Sequence, residues 1–200
     1  MPGKALPLDL DAYLNRIGYT GDRQPTLEAL NMLHLAHATH IPFENLDILL
    51  GRPIRLDLAS LQAKLVAGRR GGYCFEHNLL FRAVLESLGY IVKPLAARVR
   101  LGEPRLRART HMMLMVTVDD TPMIADVGFG GGGLLHPIIL AEEQPVRHYA
   151  WDFRLVREGS AWVLQSLSRA QWMDLYTFTL DRQYRIDYEV ANYYVSTHPD

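Results

Sequence analysis

The chain has 200 residues, of which 48% are apolar and 22% charged, and its 21 basic and 22 acidic side chains leave a net charge of −1. These values fit a folded globular chain of one domain, or two small ones sharing a core, and exclude disordered, collagen-like and coiled-coil proteins and a general nucleic-acid binder. No apolar stretch approaches the roughly 18–20 residues of a membrane helix, and the single cysteine, Cys74, rules out an internal disulfide framework and a multi-thiolate zinc cage.

The opening residues Met1-Pro2-Gly3-Lys4 lack the long apolar region of a signal peptide, so a reducing, cytoplasmic setting is expected. Pro25-Thr26 opens a predicted helix with Leu27, Leu30 and Leu33 apolar and Glu28 in its first turn, ending near Ile41-Pro42. His34, His37 and His40 recur on it every three residues. No acid or thiol accompanies them in register, so they read as a partly solvated face rather than a metal site. Asp57 is placed to cap a second helix with Leu58, Leu61 and Leu65 on one stripe and Gly68 at its end. A third runs from Cys74 to Leu88, with Leu80, Val84 and Leu88 at spacing four and Gly89 closing it. Residues 1–89 therefore read as a small helical bundle.

After Gly89 the rhythm changes. Ile91–Arg100, His111–Val118, Met123–Val127, Tyr149–Arg157, Ala161–Ser168 and Tyr176–Leu180 are β-branched or aromatic runs separated by turn residues. Asp119-Asp120 and Glu158-Gly159-Ser160 suit hairpin turns. With no helices of ordinary length between them, these strands pair antiparallel, as a barrel or a sandwich, over residues 90–200. Ile186–Val195 reads as a final helix. The fold class is α+β.

The densest chemical signal is Arg69-Arg70-Gly71-Gly72-Tyr73-Cys74-Phe75-Glu76-His77-Asn78. Two glycines let the backbone turn just before a helix that starts at the thiol. Its sulfur then meets unpaired N–H groups and the positive end of the helix dipole, which favour thiolate and can hold an oxyanion. A lone cysteine is otherwise a small buried hydrophobe. A nucleophile also needs a base and a group to orient that base. His77 shares the helix, but at three residues' separation its ring need not face the sulfur, and exposure on the helix surface is the plainer reading. His111 is the better base. If Asp119-Asp120 is a two-residue loop, Val118 faces Thr121, Asp126 falls opposite Met113, and His111 becomes a diagonal neighbour of Asp126 on the same face. A slip of one residue would separate them.

Gly128-Phe129-Gly130-Gly131-Gly132-Gly133 contains a dinucleotide-like glycine pattern, but Leu134-Leu135-His136-Pro137 breaks any following helix. The glycines instead suit close approach of a substrate. Arg98, Arg100, Arg105, Arg107 and Arg109 read as a solvated face, with contact to the phosphates of a carrier as the second reading.

Taken together, Ile41-Pro42-Phe43-Glu44-Asn45-Leu46, Arg70-Gly71-Gly72-Tyr73-Cys74, Thr110-His111 and Asp126-Val127-Gly128-Phe129-Gly130 resemble the arylamine N-acetyltransferase family. The resemblance runs in order through to Ser196-Thr197-His198-Pro199. It implies a Cys74–His111–Asp126 triad, a helical first domain and a β-barrel second domain. It also implies a buried Glu44–Arg70 ion pair with Asn78 in the polar network, and an acceptor pocket lined by Phe43 and Phe129 beside Gly128 and Gly130. The implied reaction is ping-pong acetyl transfer through an acetyl-cysteine. Acetyl-CoA serves as cosubstrate with no tightly bound cofactor, and the acceptor is an arylamine, arylhydrazine or heterocyclic amine. Such families continue into a third, α/β lid domain, which this chain is expected to lack. The alternatives are a transglutaminase-like or thioester hydrolase with the same residue order, and a binding module in which Cys74 is inert. Neither a nucleic-acid nor a membrane partner is expected, and the sequence does not set the oligomeric state.

Overall fold

The computed structural model describes residues 7–101, 105–142 and 145–198. Sequence readings on residues 1–6 and on Pro199 and Asp200 lie outside them. Helices α1 (Leu10–Arg16), α2 (Leu27–His40), α3 (Leu46–Leu49), α4 (Leu58–Leu61) and α5 (Cys74–Ser87) come first. Strands β1 (Ile91–Val99), β2 (His111–Val118), β3 (Thr121–Ala125), β4 (Ile138–Ile139), β5 (Val146–His148), β6 (Trp151–Glu158), β7 (Ala161–Ser168) and β8 (Gln171–Phe178) follow, and α6 (Arg185–Thr197) comes after them.

The predicted helix ends hold where a cap was legible. Thr26 Oγ1 accepts the Ala29 N–H at 3.2 Å to start α2, and Asp57 accepts that of Ser60 at 2.9 Å to start α4. The second helix is not α-helical throughout: α4 widens into a π-helical stretch, Gln62–Ala67, before Gly68 ends it. On α5, Leu80, Phe81, Val84 and Leu85 are fully buried, each apolar side chain worth about 1.5–3 kcal/mol in its removal from water.

The strands form one antiparallel sheet in the order β4-β3-β2-β1-β8-β7-β6-β5. It curls until Ile138 of β4 and Val146 of β5, at opposite edges, pack into the same core as Phe153, Leu155 and Tyr176. The result is a nearly closed barrel rather than a sandwich. Met112, Leu114 and Val116 of β2 face the helices, whereas Met113 faces the barrel interior. Burial on both faces explains why this strand reads as an unbroken apolar run. Among the described residues no helix is long and apolar enough to cross a membrane.

Four elements went unread: α1, α3 and the short strands β4 and β5. Strand β8 also begins five residues before the predicted Tyr176. Its turn is Arg169-Ala170, in left-handed geometry at φ 49° and 63°, which these residue types do not advertise.

Candidate active site

Cys74 is the first residue of α5 and is 7% exposed, with its Sγ 3.6 Å from the Thr110 carbonyl oxygen. The N–H of the preceding Tyr73 is taken by Glu76 Oε2 at 3.2 Å, and Glu76 is held in turn by Lys64 at 2.8 Å. The N–H groups of Cys74 and Phe75 lie in the first turn, where no intrahelical carbonyl can reach them. Gly128 lets the loop after β3 close onto this turn: a Cβ there would stand 2.9 Å from Cys74 Cα and 2.7 Å from Asn78 Nδ2.

His111 opens β2. Val118 does face Thr121, and the pairing runs in register to Leu114–Ala125. Asp126 lies one residue beyond, and its Oδ2 is 2.7 Å from His111 Nε2 with both side chains buried. The carboxylate is further fixed by Asn78 Nδ2 and the Gly128 N–H, each donating to Oδ1 at 3.0 Å. Tyr176 and Phe129 wall the imidazole, with ring centroids 5.0 and 5.3 Å away. Burial pulls the His111 pKa down, but the charge and hydrogen bond of Asp126, aided by Cys74 beside the ring, more than offset this and lift it to about 10. Burial raises the Asp126 carboxyl, while His111, Asn78 and Gly128 bring it below its ordinary value. With Nε2 engaged by Asp126, Nδ1 is the ring nitrogen left to face the thiol. A sulfur at a helix tip, an imidazolium and a buried carboxylate together form an arrangement able to hold a thiolate and shuttle a proton.

A cleft of about 370 Å³ adjoins Asp126, lined by Phe43, Phe129, Leu135, Trp151 and the glycine run that includes Gly130. Phe43 and Phe129 both line this cleft. Trp151 was missed, because nothing in the sequence brings the start of β6 to the loop after β3. That loop leads into β4 and not into a helix, so the glycine run lacks the dinucleotide-binding context.

Two expectations need correction. Glu44 and Arg70 do pair at 2.9 Å, but the Arg70 side chain is 35% exposed, so the pair is not buried. It belongs to a larger cluster in which Asp47 bridges Arg70 and Lys64 at 2.9 and 2.8 Å. Asn78 is absent from that cluster and serves Asp126 instead. Of the α2 histidines His40 is exposed, but His34 and His37 are fully buried rather than solvated, and His77 on α5 is buried as well. His34 Nε2 accepts the Asp126 N–H at 3.1 Å, and burial holds its pKa down at about 3, so the ring stays neutral. Of the arginines, Arg100 is bound by Glu158 at 2.7 Å and by Asp174 at 2.9 Å, and Arg109 faces Asp181 at 3.6 Å. Among the described residues no group of three His, Cys, Asp or Glu side chains is arranged to hold a metal ion.

The N-acetyltransferase family model matches residues 26–200. Arylamine N-acetyltransferase of Mycolicibacterium smegmatis is 47% identical over 201 residues, covering 97% of this chain and 73% of that relative. The chain belongs to the arylamine N-acetyltransferase family. The crystal structure of the Nocardia farcinica arylamine N-acetyltransferase superposes with a TM-score of 0.91 at 51% identity, covering 96% of this chain and 70% of that one. The structure of the Mycobacterium marinum arylamine N-acetyltransferase in complex with CoA gives 0.92 at 42% identity, covering 96% and 72%. The nearly closed barrel with its helical layer is shared with these acetyltransferases over the matched part of their chains.

Proposed function

We propose that this arylamine N-acetyltransferase works by ping-pong transfer through an acetyl group on Cys74, with His111 as acid and base and Asp126 as its orienting carboxylate. The observation that carries the reading is the buried 2.7 Å contact between His111 and Asp126 beside a thiol at the tip of α5. In the first half-reaction the Cys74 thiolate attacks the thioester carbonyl carbon of acetyl-CoA. The carbon–sulfur bond to the coenzyme breaks, and the departing thiolate takes the proton of the His111 imidazolium. The N–H groups of the first turn of α5 face the oxyanion as it forms. In the second half-reaction an aryl amine nitrogen attacks the acetyl-cysteine, His111 removes its proton, and the Cys74 thiolate leaves. Aryl amines are weakly basic and reach the site as neutral nucleophiles. The aromatic wall of Phe43, Phe129 and Trp151 suits a flat, largely apolar acceptor. The CoA bound by the Mycobacterium marinum enzyme supports acetyl-CoA as donor here.

The test is turnover of acetyl-CoA by Cys74→Ala and by the unaltered chain, each with and without an aryl amine. Loss of turnover in Cys74→Ala, together with consumption that depends on the amine, is expected. An unchanged rate in Cys74→Ala contradicts the reading, and amine-independent consumption alone replaces transfer with hydrolysis.

A further inference from the structure

Beneath the Cys74 turn, three side chains from three helices form an unbroken hydrogen-bonded line that the chemistry above does not use. The Tyr13 hydroxyl of α1 lies 2.8 Å from His37 Nδ1 of α2, and His37 Nε2 lies 2.8 Å from His77 Nδ1 of α5. His77 Nε2 then sits 3.0 Å from the Gly72 carbonyl oxygen and 3.3 Å from that of Pro42. Tyr13 and His37 are fully buried and His77 is 1% exposed, so water does not complete any of these bonds.

The line has one proton order. Carbonyl oxygens only accept, so His77 carries its proton on Nε2 and leaves Nδ1 as an acceptor. His37 therefore donates from Nε2, and its Nδ1 accepts from Tyr13. Every polar atom is satisfied with both rings neutral, and each ring is fixed in orientation and tautomer by the next.

Its far end grips two segments that meet at the site. Gly72 stands two residues before Cys74, and Pro42 immediately precedes Phe43. They are joined by Glu44 N–H to Gly72 O at 2.7 Å and Gly72 N–H to Pro42 O at 3.3 Å. The His77 ring also lies nearly parallel to that of Phe43, at 14° and 6.3 Å between centroids. One imidazole thus touches the turn that delivers the sulfur and the aromatic that walls the cleft. We infer that His77, oriented by Tyr13 and His37, is a positioning residue for acetyl transfer that fixes the Cys74 sulfur relative to the Phe43 wall of the acceptor cleft. The inference rests on the Cys74 chemistry proposed above.

The test compares the full chain with His77→Leu, His77→Gln and Tyr13→Phe, reading the single-turnover rate of Cys74 acetylation by acetyl-CoA and the KM for aniline. His77→Leu is expected to slow acetylation by about tenfold or more, a 1 Å misplacement being able to cost ~100-fold, and to raise the KM for aniline. His77→Gln, whose amide can still donate to the two carbonyls, recovers most of both. A role confined to stability would lower Tm and leave both kinetic readouts unmoved. Tyr13→Phe removes only the terminal donor, so it carries the test if His77→Leu does not fold. Slowed acetylation, with His37 still in its Nε2–H form in nitrogen-15 NMR, is expected. Unchanged acetylation and KM in whichever of these two variants folds overturn the inference, as does a Gln variant no better than Leu. Failure of the unaltered chain to acetylate Cys74 takes down the reading of the site itself, whereas acetylation that His77→Leu leaves unchanged takes down the positioning alone.

Discussion

A histidine ring that is 3% exposed has almost no water to stabilise a charge, so its protonated form depends on what the chain places beside it. For His111 the partner is Asp126, itself held by Asn78 and the Gly128 N–H. Because the folded pKa of His111 is raised to about 10, its contribution to stability is fully present below its unfolded value, about 6.5, and is lost as pH climbs through the raised one. The lowered Asp126 contributes above its unfolded value, about 3.9, and loses that contribution as pH falls through its folded pKa. In Asp126→Asn the ring keeps the downward pull of burial and loses the main interaction that opposed it, leaving only Cys74 on that side, so its pKa falls. Thermal melts between pH 6 and 10 should therefore show a smaller alkaline loss of Tm in Asp126→Asn than in the unaltered chain, and equal losses would contradict the pairing. Cys74 acetylation in that variant should fall by a factor on the order of 10⁴, the cost of misdirecting a catalytic imidazole. This pair was legible in the sequence because Asp119 and Asp120 are residues that tolerate left-handed turns, and a two-residue loop fixes every pairing behind it. Burial of His34, His37 and His77 was not legible. It depends on α1, too short to declare itself, and on packing across three helices.

At the scale of elements, the tip of α5 is shaped by its neighbours as much as by its own sequence. Tyr73 hydrogen-bonds Asn192 of α6 on one side, and the loop after β3 closes on Cys74 from the other. Gly128 is the point of closest approach. In Gly128→Ala the new methyl would stand 2.9 and 3.0 Å from the Cys74 Cα and carbonyl oxygen, backbone atoms that cannot swing aside. A loss of about 1–3 kcal/mol in denaturant unfolding is expected from such overpacking, with slower acetylation as the turn shifts. Wild-type values for both would contradict this packing. The strands were readable from alternation and turn residues where turns were strong, hence the matched limits of β2 and β7. They were misread where a turn was Arg169-Ala170, or where a strand has only the two or three residues of β4 and β5, too few to show an alternating pattern.

Across the whole molecule, β2 belongs to both cores, with Leu114 under the helices and Met113 inside the barrel. The helical layer and the barrel should accordingly unfold together. Leu114→Ala is expected to cost about 2–5 kcal/mol in one cooperative transition seen alike by far-UV circular dichroism and by tryptophan fluorescence; two separated transitions would contradict a shared strand. The helical layer supplies the sulfur and Phe43, the sheet supplies His111, and the loop after β3 supplies Asp126 and Phe129; the proposed mechanism requires all of them at once. The most direct measurement is mass spectrometry of the chain after brief exposure to acetyl-CoA without acceptor, followed by addition of an aryl amine. The expected result is a single acetyl group mapped to Cys74, with one equivalent of CoA released, that disappears when the amine is added. An unmodified Cys74, or an acetyl group on another residue that the amine does not discharge, would contradict transfer through this thiol.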